Sequence, residues 1–329
     1  MTLTIDSKAA RPLAVPSPVP LIPSSQVAHA DREIADGRLV RVRRGILVPA
    51  DAWAALKPWE RYTARVHAVS MTHPDAVFCL DSAAAVVGLP VFGEPRDVHV
   101  IDTPGTTSRL TGGVRLHTTA GDRIIIDAGG ILATSPLDTA IGTARSRHGA
   151  LALAVADAAL RADPQLTVEA LVAHNESRIS KRGRRLARWP LHRASALAET
   201  PLESVSRAAI EWLGYDEPEL QREFRTDDIV DRCDMWWEGM RVVGEADGDL
   251  KYDGSLQPSA EAIRREKNRD RRLRNHSDSV AHWGWADVAN VTPLRDALRH
   301  AGLRQRHPES SRELYALTAL LAPPPRPWS

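Results

Sequence analysis

The 329-residue chain has only two cysteines, Cys79 and Cys233, which lie far apart in the sequence. Two such positions provide neither a disulfide framework nor the ligand spacing of a zinc site. No stretch approaches the roughly 18 apolar residues that a membrane-spanning helix needs. The N-terminus also lacks the charged and apolar segments of a signal peptide. We therefore expect a cytoplasmic protein with no membrane partner.

The chain also lacks an excess of charge of either sign, because 43 Lys and Arg residues balance 42 Asp and Glu residues to a formal net charge of +1. This balance neither favours nor excludes a nucleic-acid partner, and clusters of arginine are more informative than the sum. Hydrophobic residues make up 43% and charged residues 26%, as is typical of a globular protein with a sizeable core. The length suits two or three domains.

The first 50 residues divide into a proline-rich segment and a basic hairpin. Five prolines and little periodicity predict a disordered N-terminus over residues 1–23. Residues 24–50 predict a short helix that ends at Gly37, followed by two strands that turn at Gly45. A helix, a strand, a tight turn and a second strand are typical of the end of a winged-helix domain. We therefore interpret this segment as a winged-helix remnant.

The hairpin carries four arginines that are candidates for DNA contact. In the winged-helix interpretation they face a phosphate backbone, whereas in the alternative they are only solvated charges on a basic hairpin. The four residues are Arg38, Arg41, Arg43 and Arg44. DNA is therefore a candidate partner of this segment.

Residues 51–195 predict a small α/β middle domain. Apolar residues recur at helical spacing over 51–70, and short apolar runs beside glycine or proline indicate strands within 96–130. No combination of side chains in this region has the pattern of a catalytic site. His99 and His117 lie on expected strands without a nucleophile to serve, so we expect them to be structural.

Residues 196–305 have the clearest pattern in the chain. A helix capped by Thr200 is followed by three strand-like segments, a charged helix, another strand and a final helix. The order α-β-β-β-α-β-α predicts a mixed sheet flanked by helices, in a chain that is α/β here and α+β overall. Residues 306–329 are expected to add a C-terminal helix and a proline-rich tail.

Three acidic residues of this region are placed to share one site. Asp234 lies inside the second strand, and Glu245 and Asp247 lie two residues apart at the end of the third. Residues i and i+2 of a strand share a face, so antiparallel pairing brings all three carboxylates to one end of the sheet. Like charges gathered there need a counter-ion, and hard oxygen ligands favour Mg²⁺ or Mn²⁺.

This arrangement predicts metal-assisted hydrolysis of a phosphodiester. Lys251, four residues beyond Asp247, would reach the scissile phosphate or orient the attacking water. Glu203, on the preceding helix, would complete the outer shell of the metal. The alternative is a structural remnant whose acids pair with nearby arginines. Those arginines are Arg232, Arg241, Arg264 and Arg265.

The same region contains a group of tryptophans with two alternative roles. They either stack on flipped or single-stranded bases or fill the interface between sheet and helices. The residues are Trp236, Trp237, Trp283 and Trp285. Since consecutive strand residues point to opposite faces, at least one of the first two belongs to the core.

The motifs from Leu202 to Val291 resemble a known nuclease family. In order they are ESVSR, LQREF, DRCDMWW, VVGEADGDLKY, REKNRDRRLR and HWGWADV. They are similar to the domain family related to very-short-patch mismatch repair endonucleases, within the PD-(D/E)XK restriction-endonuclease-like superfamily. The resemblance implies a restriction-endonuclease-like fold and Mg²⁺-dependent hydrolysis of DNA.

The resemblance also implies roles for individual residues. Asp234 resembles the first metal-binding acid and Glu245 the second. Asp247 stands where the wider superfamily usually has lysine, with Lys251 as a replacement. The remaining matches are Glu203 with the helical acid, Gln221 with the glutamine of the following strand, and Glu266 and Lys267 with a charged pair on the next helix.

The N-terminal half resembles a second family through the motifs GRLVRVRRGILVP, DSAAAVVGLPV, VHVI and LATSPLDTAI. They are similar to proteins with an AbiE-type antitoxin-like N-terminal region fused to this nuclease-like domain, an architecture common in actinobacteria. This second resemblance implies a non-catalytic DNA-binding regulator or antitoxin of a type IV toxin–antitoxin system, with a cognate toxin as partner. The sequence therefore leaves two functions open, an endonuclease and a regulator.

Overall fold

The computed structural model describes residues 3–5, 13–101, 107–119, 121–227, 229–247 and 260–322, with backbone alone at 3–5, 260–263, 265–267 and 270. The chain divides into two compact units, Met1–Arg147 with Ala162–His192, and His148–Arg161 with Arg193–Ser329. The expected segment 24–50 and most of the expected segment 51–195 thus fall in one unit. The C-terminal unit begins close to the expected residue 196 and also takes in His148–Arg161, which the sequence assigned to the middle domain.

The strands form three sheets in the described part of the chain. Their bounds are β1 Leu3–Ile5, β2 Ile22–Pro23, β3 Leu39–Arg43, β4 Ile46–Pro49, β5 Val77–Phe78, β6 Val98–Ile101, β7 Arg109–Thr111, β8 Val114–His117, β9 Arg123–Asp127, β10 Leu132–Thr134, β11 Glu219–Thr226, β12 Ile229–Trp237, β13 Val242–Ala246 and β14 Ser279–Trp283. The sheet orders are β1-β9-β10-β5-β6-β8-β7, β2-β4-β3 and β11-β12-β13-β14. The first and last sheets are mixed, and the second is antiparallel.

Helices accompany all three sheets, which confirms the expected α+β class. Their bounds are α1 Ala30–Ala35, α2 Ala50–Ala55, α3 Pro58–Thr72, α4 Leu80–Val87, α5 Pro136–Ala144, α6 Gly149–Ala162, α7 Val168–Ser177, α8 Arg184–Arg193, α9 Pro201–Trp212, α10 Ala260–His276, α11 Trp285–Asn290, α12 Thr292–His300 and α13 Ser311–Leu321. None of the described helices combines the length and apolar character needed to cross a bilayer.

The basic hairpin forms as expected, and the residues before it are more ordered than expected. Helix α1 precedes β3 and β4, and Gly45 turns between these strands at a φ of 86°, which glycine adopts readily. The expectation of disorder is wrong for residues 13–23, because β2 pairs with β4 and Val19 is only 5% exposed. Apolar side chains between the prolines therefore pack into a core.

The main core of the N-terminal unit lies between its large sheet and the helices α3 and α4. Tyr62, Phe78, Val86 and Val98 are buried in one cluster there. The small side chains of α4 allow this close packing, and Gly88 ends the helix at a φ of 78°.

Helix α6 lies in the C-terminal unit because of one buried acid. Asp157 is fully buried and accepts hydrogen bonds from Arg207 Nη1 at 3.1 Å and from the backbone N–H of Ser195 at 2.7 Å. A buried carboxylate requires such donors, so this group fixes α6 beside α9.

The C-terminal unit has the predicted order of elements. Thr200 caps α9 by accepting a hydrogen bond from the N–H of Glu203 at 3.2 Å. Strands β11, β12 and β13 are antiparallel, and α10 forms the crossover to β14, which is parallel to β13. Two short helices, α11 and α12, stand where one final helix was expected.

The tryptophans support the core interpretation. Trp236, Trp237 and Trp283 are at most 4% exposed. The indole N–H of Trp283 donates to Ser206 Oγ, and that of Trp237 donates to the carbonyl of Asp216, each at 2.8 Å. Trp285 is half-buried. Three of the four rings therefore fill the sheet–helix interface.

Candidate functional site

Asp234 and Glu245 lie close together on adjacent strands. The antiparallel register of β12 and β13 runs as far as Met235 and Gly244, and the two acids are the next residues beyond that pair. The side chain of Asp234 accepts a hydrogen bond from the N–H of Ala246, and its charge raises the pKa of Glu245. The two predicted metal ligands are therefore neighbours at this end of the sheet.

Two further residues lie beside these acids on the outer strands of the sheet. In the parallel pair of β13 and β14, His282 is the partner of Glu245. On the other side, Gln221 lies in β11 between the positions that pair with Met235 and Cys233, level with Asp234. The four strands thus bring a glutamine, two acids and a histidine to one level of the sheet.

Glu245 is buried, at 4% exposed, and contacts an arginine of α10. Arg269 Nη2 donates to both carboxylate oxygens of Glu245 at 3.0 Å and to the carbonyl of Arg232 at 2.7 Å. Burial and the charge of Asp234 nevertheless raise the pKa of Glu245 to about 7. One arginine therefore compensates this carboxylate incompletely.

Asp234 is half-buried on the strand beside it. Its Oδ2 accepts a hydrogen bond from the backbone N–H of Ala246 at 2.9 Å, which ties the side chain to β13. Burial is the main cause of a raised pKa at Asp234, and the charge of Asp247 raises it further. Asp234 and Glu245 are therefore two neighbouring acids that their surroundings hold toward the neutral form.

Glu203 reaches the same region from α9. Its Oε2 accepts from Gln221 Nε2 at 3.0 Å and from the N–H of Glu199 at 2.9 Å, and its Oε1 accepts from Thr200 Oγ1 at 2.9 Å. Burial and the charge of Asp234 raise its pKa. A hydrogen bond thus joins Glu203 to Gln221, and Glu203 also caps its own helix.

Gln221 has an unusual backbone. Its φ is 56°, within a strand and at a residue with a Cβ. Residues other than glycine adopt this left-handed conformation at a cost of about 1–2 kcal/mol. Strain of this kind persists where surrounding contacts impose it, and the bond from Gln221 to Glu203 is such a contact.

Asp247 directly follows β13 and contacts His282 of β14. His282 Nδ1 and Asp247 Oδ2 lie 2.9 Å apart, and the N–H of Asp247 donates to the carbonyl of Trp283 at 2.9 Å. Asp247 therefore follows Glu245 on the same face but turns to β14. Sequence reasoning missed His282, since its position depends on the parallel register of β13 and β14.

The arginine partners differ from those expected. Arg232 pairs with Glu199 and Arg241 with Asp278, so neither neutralises the two central acids. Arg264 is exposed, and the side chain of Arg265 lies outside the described residues. Among the described side chains of α10, Arg269 reaches Glu245 and Arg272 reaches Asp231. From the sequence, the run of basic residues on this helix indicates that some arginines lie near the acidic strands, but it does not show which ones.

Several expected site residues are not described in full. Lys251 lies in the segment 248–259, outside the described residues, and the side chains of Glu266 and Lys267 are likewise outside the description of α10. Their expected roles stay predictions.

The acids suit a divalent cation in chemistry, although they are not gathered as a complete ligand set. Within the described ranges no group of three or more His, Cys, Asp or Glu side chains stands ready to hold a metal ion. Asp234 and Glu245 do present oxygen ligands side by side, and both have raised pKa values. Such oxygens are ligands for Mg²⁺ and Mn²⁺, which also take water and phosphate oxygens.

Most of the arginines of the hairpin are engaged inside the protein. Arg38 donates to Glu33 and Asp36, Arg41 donates to Asp31, and Arg43 donates to Thr72 and to the carbonyl of Gly112. Arg44 is exposed and has no acidic partner among the described side chains. Arg44 could therefore contact a phosphate without first breaking an ion pair with a described side chain.

The histidines of the middle region form a pair. His99 Nδ1 and His117 Nε2 lie 2.8 Å apart, and His99 is also close to Arg147 and Asp81. Burial lowers the pKa of His99 to about 4. Their mutual hydrogen bond agrees with the structural role that the sequence indicated.

Two mycobacterial proteins are similar to this chain. No model of a protein family matches it, and no solved structure does. Uncharacterized protein MT2308 of Mycobacterium tuberculosis strain CDC 1551 / Oshkosh and Uncharacterized protein Rv2248 of strain ATCC 25618 / H37Rv are each 33% identical to it over 219 residues, which cover 65% of this chain and 76% of the relative. The chain therefore belongs to the same family as these mycobacterial proteins.

Proposed function

We propose that the C-terminal unit is a metal-dependent endonuclease that hydrolyses phosphodiester bonds of DNA. The observation that carries this proposal is the closeness of Asp234 and Glu245 on adjacent strands, with Arg269 hydrogen-bonded to Glu245. The mixed four-stranded sheet flanked by helices also agrees with the architecture that the nuclease resemblance implies.

Asp234 and Glu245 are the residues that would hold Mg²⁺ or Mn²⁺. A metal bound there would polarise a phosphoryl oxygen and lower the pKa of a coordinated water. Because burial raises the pKa of both acids, and the charge of Asp234 raises that of Glu245 further, a divalent cation bound between them would relieve an electrostatic cost. Glu203 and Gln221 position this end of the sheet from α9 and β11.

His282 would provide proton transfer. Asp247 holds its Nδ1 at 2.9 Å, and the side chain is 38% exposed, next to Glu245 in the register. An imidazole held by a carboxylate is suited to accept a proton from an attacking water. Lys251 would orient that water or the phosphate, as the sequence predicts.

The proposal is tested by incubating supercoiled, mismatched and single-stranded DNA with purified protein and Mg²⁺ or Mn²⁺. We expect nicking or cleavage that a chelator stops and that Asp234→Asn and Glu245→Gln abolish. Asp231→Asn is the matched control, since Asp231 lies on the same strand but pairs with Arg272. This control should keep cleaving.

Retention of DNA by the wild type without cleavage, across these metals and substrates, would contradict the endonuclease. Such a result would favour the regulator or antitoxin that the N-terminal resemblance implies. Cleavage that survives both Asp234→Asn and Glu245→Gln would place the chemistry elsewhere.

A further inference from the structure

Two described arginines of α10 form ion pairs with acids of the sheet, and the two pairs differ in geometry. Arg272 donates from Nε and Nη2 to the two oxygens of Asp231, at 2.6 and 2.7 Å, which is the two-pronged pairing that fits a guanidinium to a carboxylate. Arg269 instead uses Nη2 alone for both oxygens of Glu245, at 3.0 Å. The pair at Asp231 is therefore the tighter of the two.

The charges around the two arginines also differ. Arg272 serves one carboxylate, and its hydrogen bonds lower the pKa of Asp231. Arg269 acts on Glu245 and, at longer range, on Asp234, so that among the described side chains this one arginine faces both acids. The remaining negative charge is what a second cation would neutralise.

Arg269 is the more exposed partner of its ion pair with Glu245. Its shortest described contact is with the backbone carbonyl of Arg232, at 2.7 Å, rather than with the acid. Its side chain is 33% exposed, whereas that of Glu245 is 6% exposed. A rotation of the guanidinium toward solvent would free the oxygens of Glu245 while the strand stays in place, and it would also break the bond to the carbonyl of Arg232.

We propose that Arg269 is a displaceable counter-ion, which holds the oxygens of Glu245 until a divalent cation binds between Asp234 and Glu245 and expels it. This inference rests on the proposed metal site. Arg269 and the cation compete because both need the same oxygens and because their positive charges repel. The released guanidinium then lies beside the site as a donor for a phosphate oxygen of the substrate.

The test is the affinity for Mn²⁺ alone, measured at pH 8.5 from the electron paramagnetic resonance signal of the free ion. Arg269→Gln should bind Mn²⁺ about tenfold more tightly than the wild type, since a positive charge that competes for the ligand is gone. Removing the charge of Arg269 also helps a proton to bind the same carboxylates. The gain for a divalent ion is about twice as large, because its charge is twice that of a proton. Arg269→Lys keeps the charge and should stay near the wild type, and Arg272→Gln should leave the affinity unchanged.

An Arg269→Gln protein whose Mn²⁺ affinity is unchanged or weaker would overturn the inference and leave the metal site standing. Absence of Mn²⁺ binding in every form would overturn both. Tighter binding in Arg269→Gln, together with an inability of the wild type to cleave any DNA, would uphold the inference and contradict the endonuclease.

A second measurement uses the wild type and does not depend on a variant that folds. Side-chain ¹⁵N resonances of arginine are followed while Mg²⁺ is added. The resonance of Arg269, assigned by its loss in Arg269→Lys, should shift as the site fills, and that of Arg272 should stay in place. A shift of neither resonance, or of Arg272 alone, would contradict displacement.

Discussion

Arg269 contacts both carboxylate oxygens of Glu245 through one nitrogen, Nη2, at 3.0 Å each. Asp234 lies on the neighbouring strand and adds a second negative charge to the same place. Among the described residues, the acids of this site therefore outnumber the arginine that contacts them, and the site should respond to protons, to cations and to the packing that holds its strands.

The first prediction concerns pH. Burial and Asp234 raise the pKa of Glu245 from 4.5 to about 7 in the folded protein, so folding favours its protonated form. That contribution to stability is complete below pH 4.5 and is lost as pH rises through about 7. This loss lowers the unfolding free energy of the wild type by roughly 1–3 kcal/mol as pH rises, and we expect Glu245→Gln not to show it. Denaturant titrations of wild type and variant at several pH values measure it, and parallel curves would contradict the assignment.

The second prediction concerns the N-terminal unit and has the opposite sign. Burial lowers the pKa of His99 from 6.5 to about 4, so the folded state disfavours its protonated form. The resulting stability is present above pH 6.5 and is lost as pH falls through about 4. Replacement by an uncharged residue, His99→Gln, should flatten acid destabilisation by roughly 1–3 kcal/mol. The unfolding free energy of this unit is measured at pH 6.5, 5.5 and 4.5 in the wild type and the variant. An equal dependence on pH in both proteins would contradict the role of His99.

The third prediction concerns the strained backbone of Gln221, with its φ of 56°. Gln221→Ala and Gln221→Gly lose the same amide, but glycine accepts this conformation. Gln221→Gly should therefore be more stable than Gln221→Ala by about 1 kcal/mol. At Glu223, exposed on the same strand, the order should reverse, because glycine weakens an ordinary strand. The midpoints of chemical unfolding give both comparisons, and the same order at the two positions would argue against strain.

The fourth prediction concerns Gly244, which lies between two rings. A Cβ there would be 2.6 Å from Cη2 of Trp283 and 2.9 Å from Cζ3 of Trp237. Gly244→Ala should destabilise the C-terminal unit by about 1–3 kcal/mol through overpacking. Gly239→Ala is the control, since a Cβ at Gly239 meets nothing within 4 Å. Calorimetric melting separates them, and a silent Gly244→Ala would mean that the rings have room to shift.

Local patterns in the sequence predicted much of the C-terminal unit. The alternation of strands and helices from α9 to β14 follows from apolar periodicity and from the cap at Thr200. The closeness of Asp234 and Glu245 follows from a short turn between antiparallel strands, because register then fixes which side chains are neighbours.

What the sequence could not predict depends on contacts between distant residues. Several arginines lie on α10, and only the packing of that helix on the sheet selects Arg269 and Arg272. His282 joins the site through a parallel pairing whose register no local turn fixes. The proline-rich composition predicted disorder before residue 23, yet Val19 is buried because the tertiary structure provides a partner surface.

The most direct measurement is an anomalous diffraction map from crystals of the wild type grown with Mn²⁺. The metal site predicts one strong peak within about 2.5 Å of oxygens of both Asp234 and Glu245, with the guanidinium of Arg269 turned away from Glu245. A map with no peak at these carboxylates at millimolar Mn²⁺, and Arg269 still on Glu245, would contradict it.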